Sequence, residues 1–217
     1  MSGKGREIAV FLCGYPWTHL MLCLTPLALT LLWLSAAFGS NRELAEYFSG
    51  LRPRQPLLTQ AMLAVSYGAT PLFYGVYAWI FRRGLKMPDL SLLRLCVAYV
   101  LVQISLSFLL VRLLKIAVGR PRPQSLLQGV GYVPFTLEHG NHSFPSGHTA
   151  EIIGACAPLA TRRARPLFSL GLGLVPALVG YSRIYLSMHH ISDIAAGMGI
   201  GALCSLAVHY ISARGLS

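Results

Sequence analysis

Long stretches without a charged residue constrain this chain more than any other feature of its sequence. The stretch 194–213 contains no Asp, Glu, Lys or Arg, and neither does the stretch 15–38. About 20 apolar residues are enough for a helix to cross the hydrocarbon core of a bilayer. The whole chain is 54% hydrophobic and only 12% charged, which is typical of a membrane protein and excludes an ordinary soluble domain.

Six apolar stretches predict an all-α integral membrane bundle of six transmembrane helices, formed by one domain over residues 1–217. The predicted spans are 15–38, 56–81, 90–118, 148–161, 166–186 and 189–213. The weakest is 148–161, because it is short and contains Glu151. The stretch 41–51 has apolar residues at helical spacing, which predicts a short helix at the membrane interface. We interpret 15–38 as a retained helix, because it is longer than the core of a usual cleaved signal.

The distribution of basic residues favours one orientation in the membrane. The net charge is +11, but the arginines stand between apolar stretches and are not clustered on a soluble face, so we expect no nucleic acid partner. Six spans place both termini on one side, which carries more Lys and Arg than the other and includes Lys4, Arg6 and Arg214. The positive-inside rule therefore predicts a cytoplasmic N-terminus. The five cysteines form no CxxC pair and are interpreted as small core residues.

Three polar clusters lie at the ends of predicted spans, and the six-span topology places all three on the same side of the membrane. They are "KIAVGRPRP" at 115–123, "FPSGHTAE" at 144–151 and "SRIYLSMHHISD" at 182–193. Buried polar groups beside apolar helices are costly unless they serve a purpose. We therefore expect an active site at helix ends near one membrane surface.

Several groups in these clusters suit a phosphate. The turn at 145–148 precedes a predicted helix, and the first turn of a helix offers unpaired backbone N–H groups and partial positive charge. Gly147 lets the backbone approach an anion closely, whereas Ser146 alone could be an ordinary N-cap. Single cations at span ends are often interfacial, but three of them beside a helix N-terminus match the charge of a phosphate. These cations are Lys115, Arg122 and Arg183.

The third cluster contains a histidine and an aspartate four residues apart. His189 and Asp193 would share one helix face, so Asp193 could accept a hydrogen bond from one ring nitrogen and leave the other free as a nucleophile or base. His190 is the poorer partner at three residues from Asp193. A metal site is the rival interpretation, with ligands from histidines 139, 142, 148, 189 and 190 and from Asp193. Three cations in the same place disfavour it, so we expect no metal.

These residues resemble the three signatures of the type-2 phosphatidic acid phosphatase family, which shares its pocket with vanadium haloperoxidases and glucose-6-phosphatase. The pattern K-x6-R-P is met by Lys115, Arg122 and Pro123, and P-S-G-H by 145–148. The pattern S-R-x5-H-x3-D is met by Ser182, Arg183, His189 and Asp193. The resemblance covers 115–193, and no signature residue lies in the first 110 residues.

The resemblance implies a phosphatase that works through a phosphohistidine and needs no metal or other cofactor. His189 would be the nucleophile, Asp193 would orient it, and His148 would act as general acid and then as general base. The remaining groups would stabilise charge on the phosphoryl oxygens. They are Lys115, Arg122, Arg183 and the backbone N–H groups near Ser146 and Gly147.

The resemblance also implies an amphiphilic substrate, since the site lies at the membrane surface. Candidate substrates are phosphatidylglycerophosphate, phosphatidic acid, undecaprenyl pyrophosphate and lipid A phosphates. The compact chain is similar to bacterial lipid phosphatases, which predicts the inner membrane with the active site on the extracytoplasmic side.

Five further polar positions lie near the three clusters. Glu151 follows His148 by one helical turn and could bind a hydrogen-bond donor on the headgroup, or could be a structural partner. Arg112 precedes Lys115 on the same face and could bind a second phosphate. Arg120 is expected to be a loop arginine at the headgroup layer, and His139 and His142 are expected at the surface.

Two other classes of protein remain compatible with the sequence. A transporter or proton pathway would also contain ionisable residues inside a membrane bundle. However, the polar clusters gather at one surface and do not form a chain across the bilayer. A lipid-binding protein with an inactive site is the second alternative, although it would need to keep neither His148 nor His189.

Overall fold

The computed structural model describes residues 16–213, and this part of the chain is helical without strands. A π-helical segment, Gln103–Leu110, joins the helices Leu90–Val102 and Val111–Val118 in one continuous rod. The helices are α1 (Pro16–Ala37), α2 (Asn41–Leu51), α3 (Pro56–Lys86), α4 (Leu90–Val102), α5 (Val111–Val118), α6 (Pro123–Leu127), α7 (Gly147–Arg163), α8 (Pro166–Tyr185) and α9 (Ile191–Ala213). Tyr15, Lys4, Arg6, Cys13 and Arg214, which entered the sequence predictions, lie outside the described residues.

Four stretches in residues 16–213 are long and apolar enough to cross a membrane. The predicted spans 56–81 and 148–161 are helical but are not among them. The predicted span 56–81 lies within α3, a 31-residue helix whose last turn contains basic residues. The second corresponds to α7, which has 17 residues and buries much of its surface inside the bundle. The four stretches are Pro16–Ala37, Leu90–Leu127, Pro166–Tyr185 and Ile191–Ala213.

The short helix predicted at 41–51 is confirmed as α2. Ser40 begins it as an N-cap, because its side chain accepts a hydrogen bond from the backbone N–H of Glu43. Leu44 and Phe48 are buried on one face. The ring of Phe48 lies 5.2 Å from the ring of Tyr185 at the end of α8. This contact holds α2 against the same end of the bundle as the third polar cluster.

Helix α7 lies at the centre of the bundle and contacts α1, α3, α8 and α9. Its closest approach to α9 depends on two glycines. A Cβ atom on Gly201 would lie 2.6 Å from Cβ of Ile153, and one on Gly197 would lie 2.5 Å from the carbonyl oxygen of Ser146. Small residues let helix backbones approach closely within a membrane. Gly199 differs, because nothing lies within 4 Å of the equivalent position.

The cysteines of the described region are free and buried, in agreement with their interpretation as small core residues. They are Cys23, Cys96, Cys156 and Cys204.

A glycine with a left-handed backbone conformation ends the α4–α5 rod. It lies within the first polar cluster, where the chain turns back. Gly119 has a φ of 56°, and its N–H donates to the carbonyl oxygen of Lys115. A Cβ atom there would lie 1.8 Å from the carbonyl oxygen of Val133. Glycine is required at this position by both the backbone conformation and the close approach of the loop.

We expect Gly119→Ala to destabilise the protein strongly, whereas Gly129→Ala serves as a matched control. Gly129 also has a positive φ, 83°, but nothing lies within 4 Å of its added Cβ. The control should cost about 1 kcal/mol from backbone strain alone. The Gly119 variant should cost about 4 kcal/mol or more, because the loop must also move. Thermal unfolding in detergent measures the difference, and equal losses would contradict the importance of the steric contact.

Candidate active site

The three polar clusters meet at one cavity of about 500 Å³. Lys115 and Arg122 reach it from the first cluster, and Arg183 and His189 reach it from the third. The second cluster contributes Gly147, His148 and Glu151, and Arg112 from α5 also lines the wall. Ser146 and Asp193 are fully buried behind the wall. The structure therefore brings together most of the residues that the sequence selected.

The cations of the cavity are fixed by neighbouring polar groups. The Lys115 ammonium donates to the carbonyl oxygen of His142 at 2.7 Å. The Arg183 guanidinium donates through Nη1 to Oγ of Ser66 at 2.8 Å. Nη1 of Arg122 lies 2.9 Å from Sδ of Met188. Nε of Arg122 and Nε of Arg183 are buried without a hydrogen-bond partner in the structure, so both guanidinium groups keep a donor that an anion could use.

The turn before α7 divides its backbone donors between structure and cavity. Ser146 is the N-cap, and its Oγ accepts from the backbone N–H of Thr149. Its own backbone N–H donates to the carbonyl oxygen of Asp193 at 3.0 Å. The prediction that the N–H of Ser146 binds phosphate is therefore wrong for this structure, since that donor is already used. Gly147 and His148 supply the first-turn N–H groups that the cap leaves over, and both residues line the cavity.

An aromatic residue of α3 joins two of the polar residues. The ring of Tyr67 meets the ring of His148 edge to face, with centroids 5.9 Å apart. The Arg183 guanidinium lies 5.6 Å from the centre of the same ring. A cation over a tyrosine ring is attracted by the negative face of the ring. Sequence reasoning missed Tyr67 and Ser66, because no motif marks them within the apolar stretch 56–81.

His189 is oriented by a backbone carbonyl and not directly by Asp193. The helix α9 begins at Ile191, so His189 precedes it and the assumed helical spacing does not apply. Nδ1 of His189 lies 2.6 Å from the carbonyl oxygen of Ser143, whereas it is 3.8 Å from Oδ2 of Asp193, beyond hydrogen-bond distance. A carbonyl oxygen can only accept, so Nδ1 carries the proton and Nε2 carries the lone pair. Burial lowers the pKa of His189 to about 3, which keeps the imidazole neutral at pH 7.

Asp193 is the centre of a hydrogen-bond network that we call the Asp193 network, formed with Arg120, Ser143 and His190. Its carboxylate accepts from Nη1 of Arg120 at 2.7 Å, from Oγ of Ser143 at 2.5 Å and from the backbone N–H of His190 at 2.8 Å. The last bond is the reciprocal half of a capping box at the start of α9. Asp193 thus supports His189 through Ser143, whose hydroxyl donates to Asp193 while its carbonyl accepts from His189.

The structure corrects several predictions for residues around the site. Arg120 is not a free headgroup arginine, since it is paired with Asp193. His190, the poorer candidate partner of Asp193, is buried, and its Nε2 lies 3.1 Å from the carbonyl oxygen of Pro121. His142 is also buried, with Nε2 2.9 Å from the carbonyl oxygen of Thr136. His139 is exposed as expected, and the charge of Arg122 is the main cause that lowers its pKa.

No group of three metal-ligating side chains occurs in residues 16–213. The histidines near the cavity instead face backbone carbonyls, an aromatic ring or cationic side chains.

Comparison with known families agrees with this arrangement. The sequence profile of the PAP2 superfamily matches residues 91–215, which is more than half of the chain and includes all three polar clusters. The chain belongs to the PAP2 superfamily. No solved structure matches the chain.

Curated relatives within the PAP2 superfamily are named as lipid A phosphatases. Lipid A 1-phosphatase of Rhizobium johnstonii is 32% identical over 119 residues, which are 54% of this chain and 48% of that protein. Lipid A 1-phosphatase of Helicobacter pylori is 42% identical over 65 residues, and lipid A 4'-phosphatase of Porphyromonas gingivalis is 31% identical over 100 residues. They cover 30% and 44% of this chain. The chain spans about half the length of the curated relatives it matches, or less.

The PAP2 match begins at residue 91, whereas the cavity wall extends outside it. Tyr67 and Tyr74 line the cavity from α3, and Ser66 binds Arg183. The hydroxyl of Tyr74 donates to Oε1 of Glu151. The half of the chain without a signature therefore supplies part of the site.

Proposed function

We propose that this protein hydrolyses the phosphate or pyrophosphate of a membrane lipid through a phosphohistidine intermediate and without a metal ion. The observation that carries the proposal is the position of His189. Its proton-bearing Nδ1 faces the Ser143 carbonyl, and the residue lines a cavity that also contains Lys115, Arg122 and Arg183. Membership of the PAP2 superfamily and the named lipid A phosphatase relatives support the same activity.

In the proposed mechanism, the lone pair on Nε2 of His189 attacks phosphorus in line with the bond to the lipid oxygen. The P–O bond breaks as His148 donates a proton to the leaving oxygen. A phosphohistidine results, together with a lipid alcohol from a monophosphate or a lipid phosphate from a pyrophosphate. The three cations and the first-turn N–H groups of Gly147 and His148 stabilise negative charge on the phosphoryl oxygens. His148 then takes a proton from water, which attacks phosphorus and releases inorganic phosphate from His189.

The membrane arrangement is part of the proposal. Helices α3 and α7 would complete six spans together with the four apolar stretches. The basic residues at the end of α3, Arg83 and Lys86, then lie on the cytoplasmic side with the N-terminus. The cavity would open at the extracytoplasmic surface of a bacterial inner membrane. Labelling of a single cysteine placed at Glu138, an exposed loop position, from outside intact spheroplasts tests this orientation, and protection there would contradict it.

Within this site, Arg112 and Glu151 are proposed to contact the lipid headgroup. Arg112 is exposed and lines the cavity beyond Lys115, where its charge could bind a second phosphate. Candidate substrates are lipid A phosphates, phosphatidic acid, phosphatidylglycerophosphate and undecaprenyl pyrophosphate. The named relatives favour the first of these.

Release of inorganic phosphate from lipid phosphates in detergent micelles tests the proposed function. We expect turnover that vanadate inhibits, since vanadate adopts the five-coordinate geometry of phosphorus during transfer. We also expect EDTA to leave activity within about twofold, because the charge on phosphate is matched by arginine and lysine side chains. A strong loss with EDTA would contradict the metal-independent mechanism. Movement of the lipid phosphate across proteoliposome membranes without release of inorganic phosphate would favour a transporter instead.

A further inference from the structure

Two hydrogen-bond acceptors, Gln103 and Glu151, line the cavity together with the cations. Gln103 belongs to the π-helical segment, and Glu151 follows His148 by one turn of α7. Both line the same cavity as His189. Residues three apart on a helix lie on one face, with Cβ atoms roughly 5–6 Å apart. A lipid phosphate whose leaving oxygen faces His148 would therefore place the atoms two or three bonds beyond that oxygen near Glu151.

The orientation of the Gln103 amide is determined by its neighbour. Its Nε2 donates to the backbone carbonyl oxygen of Glu151 at 2.9 Å, so Oε1 is the remaining acceptor. Gln103 is only 8% exposed, and Oε1 is buried without a hydrogen-bond partner in the structure. A buried polar atom without a partner is costly, and such an atom in a cavity wall suits a ligand that supplies the missing donor.

The Glu151 side chain is held in place from the other side of the cavity. The hydroxyl of Tyr74 on α3 donates to Oε1 of Glu151. A carboxylate has about four lone-pair sites, so one tyrosine leaves most of this capacity unused. The other charged residues that line the cavity are cations, namely Arg112, Lys115, Arg122 and Arg183. A phosphate group would bind near those cations and would be repelled by Glu151.

We propose that Gln103 and Glu151 select a lipid phosphate whose phosphorylated group carries hydroxyl or N–H donors beside the phosphate, such as an acylated amino sugar or a polyol. This inference rests on the proposed phosphatase function and names the substrate class of the same site. Phosphatidic acid and polyprenyl phosphates carry no donor at this place, because their neighbouring oxygens are esterified or absent. When they bind, Oε1 of Gln103 would stay buried and unpaired. A site with such an acceptor discriminates strongly against substrates that lack the matching donor.

The test compares kcat/KM for two lipids with matched acyl chains, an N-acylated glucosamine 1-phosphate lipid and phosphatidic acid. We expect the wild-type protein to prefer the sugar phosphate by about tenfold or more. Gln103→Leu and Glu151→Gln should each lower the ratio of the two kcat/KM values by roughly five- to tenfold. The first removes an acceptor that only the sugar phosphate uses, and the second replaces one carboxylate oxygen with an N–H donor and removes the negative charge. Ser105→Ala is the matched control on the same segment, since Ser105 is exposed and its hydroxyl bonds to the carbonyl oxygen of Leu101.

Each outcome separates this inference from the proposed function. Hydrolysis of both lipids at equal rates by the wild-type protein would overturn the inference while the phosphatase function stood. Equal losses toward both lipids in the Gln103 and Glu151 variants would assign these residues a structural role and would also overturn it. Failure of the wild-type protein to release phosphate from either lipid, and also from phosphatidylglycerophosphate and undecaprenyl pyrophosphate, would remove the proposed function together with the inference. A lower ratio in the two variants, with the Ser105 control unchanged, would support it.

Discussion

His189→Ala is expected to abolish phosphate release while the protein still inserts in the membrane and purifies normally. The variant lacks the nitrogen that we propose as the nucleophile toward phosphorus. Loss of a nucleophile of this kind lowers turnover by about 10³-fold or more. Measurement combines inorganic phosphate release with an alkaline detergent quench after brief exposure to labelled lipid phosphate, because the P–N bond of a phosphohistidine survives alkali and is lost in acid. The wild-type protein should yield an acid-labile phosphoenzyme, and the variant should yield none.

The adjacent histidine supplies the matched control for this experiment. His190 is as buried as His189, but its ring points to the carbonyl oxygen of Pro121 and does not line the cavity. His190→Gln can still donate to that carbonyl, so we expect activity to remain within about tenfold of wild type. Inactive His190→Gln together with active His189→Ala would show that the wrong ring had been chosen as the nucleophile.

Asp193→Ala is expected to cause the largest loss of stability of any substitution in the site. Asp193 is fully buried and accepts three hydrogen bonds, and Arg120, only 17% exposed, is its ion-pair partner. Removing one member of a buried pair leaves the other charge without compensation, which costs about 3–5 kcal/mol. Activity should fall as well, because Ser143 would no longer be held where its carbonyl orients His189. Thermal unfolding in detergent and phosphate release measure the two effects.

Asp89→Ala is the control for Asp193→Ala, because it removes a helix-capping aspartate outside the Asp193 network, at the start of α4. It should cost about 1 kcal/mol of stability without loss of activity.

A second variant tests how Asp193 acts on His189. Ser143→Ala keeps the carbonyl that faces His189 but removes the hydroxyl that anchors it to Asp193. We expect its kcat to fall while KM changes little, because substrate binding depends on the cations. Wild-type kcat in Ser143→Ala would contradict the indirect route from Asp193 to His189.

Local sequence patterns predicted the helices because each helix depends on its own residues. The apolar stretches and the short helix at 41–51 follow from composition and spacing. The start of α9 was misplaced by two residues. The spacing of His189 and Asp193 looked helical, but the capping box that forms between His190 and Asp193 begins the helix only at Ile191.

The partners of the polar residues could not be predicted, because they come from distant parts of the chain. Arg120 and Asp193 are separated by 73 positions, and Arg183 and Ser66 by 117. No local pattern distinguishes an arginine that binds a buried carboxylate from one that faces lipid headgroups. Tyr67 and Gln103 lie within apolar stretches and belong to no motif. Their place in the cavity is decided by how α3 and the π-helical segment pack against α7.

The contact of Arg183 with Ser66 and Tyr67 has a consequence for exchanging parts between related proteins. The segment by which the superfamily is recognised begins at residue 91. Arg183 is held by side chains of α3, and α3 ends at Lys86, before that segment begins. A chimera that joins residues 91–213 to the first three helices of a relative would retain every signature residue. It would nevertheless lose the hydroxyl and the ring that fix the guanidinium, unless the donor has equivalent side chains on that helix. The smallest segment that carries the complete cavity wall is therefore larger than the segment that identifies the family, and it includes the middle of α3.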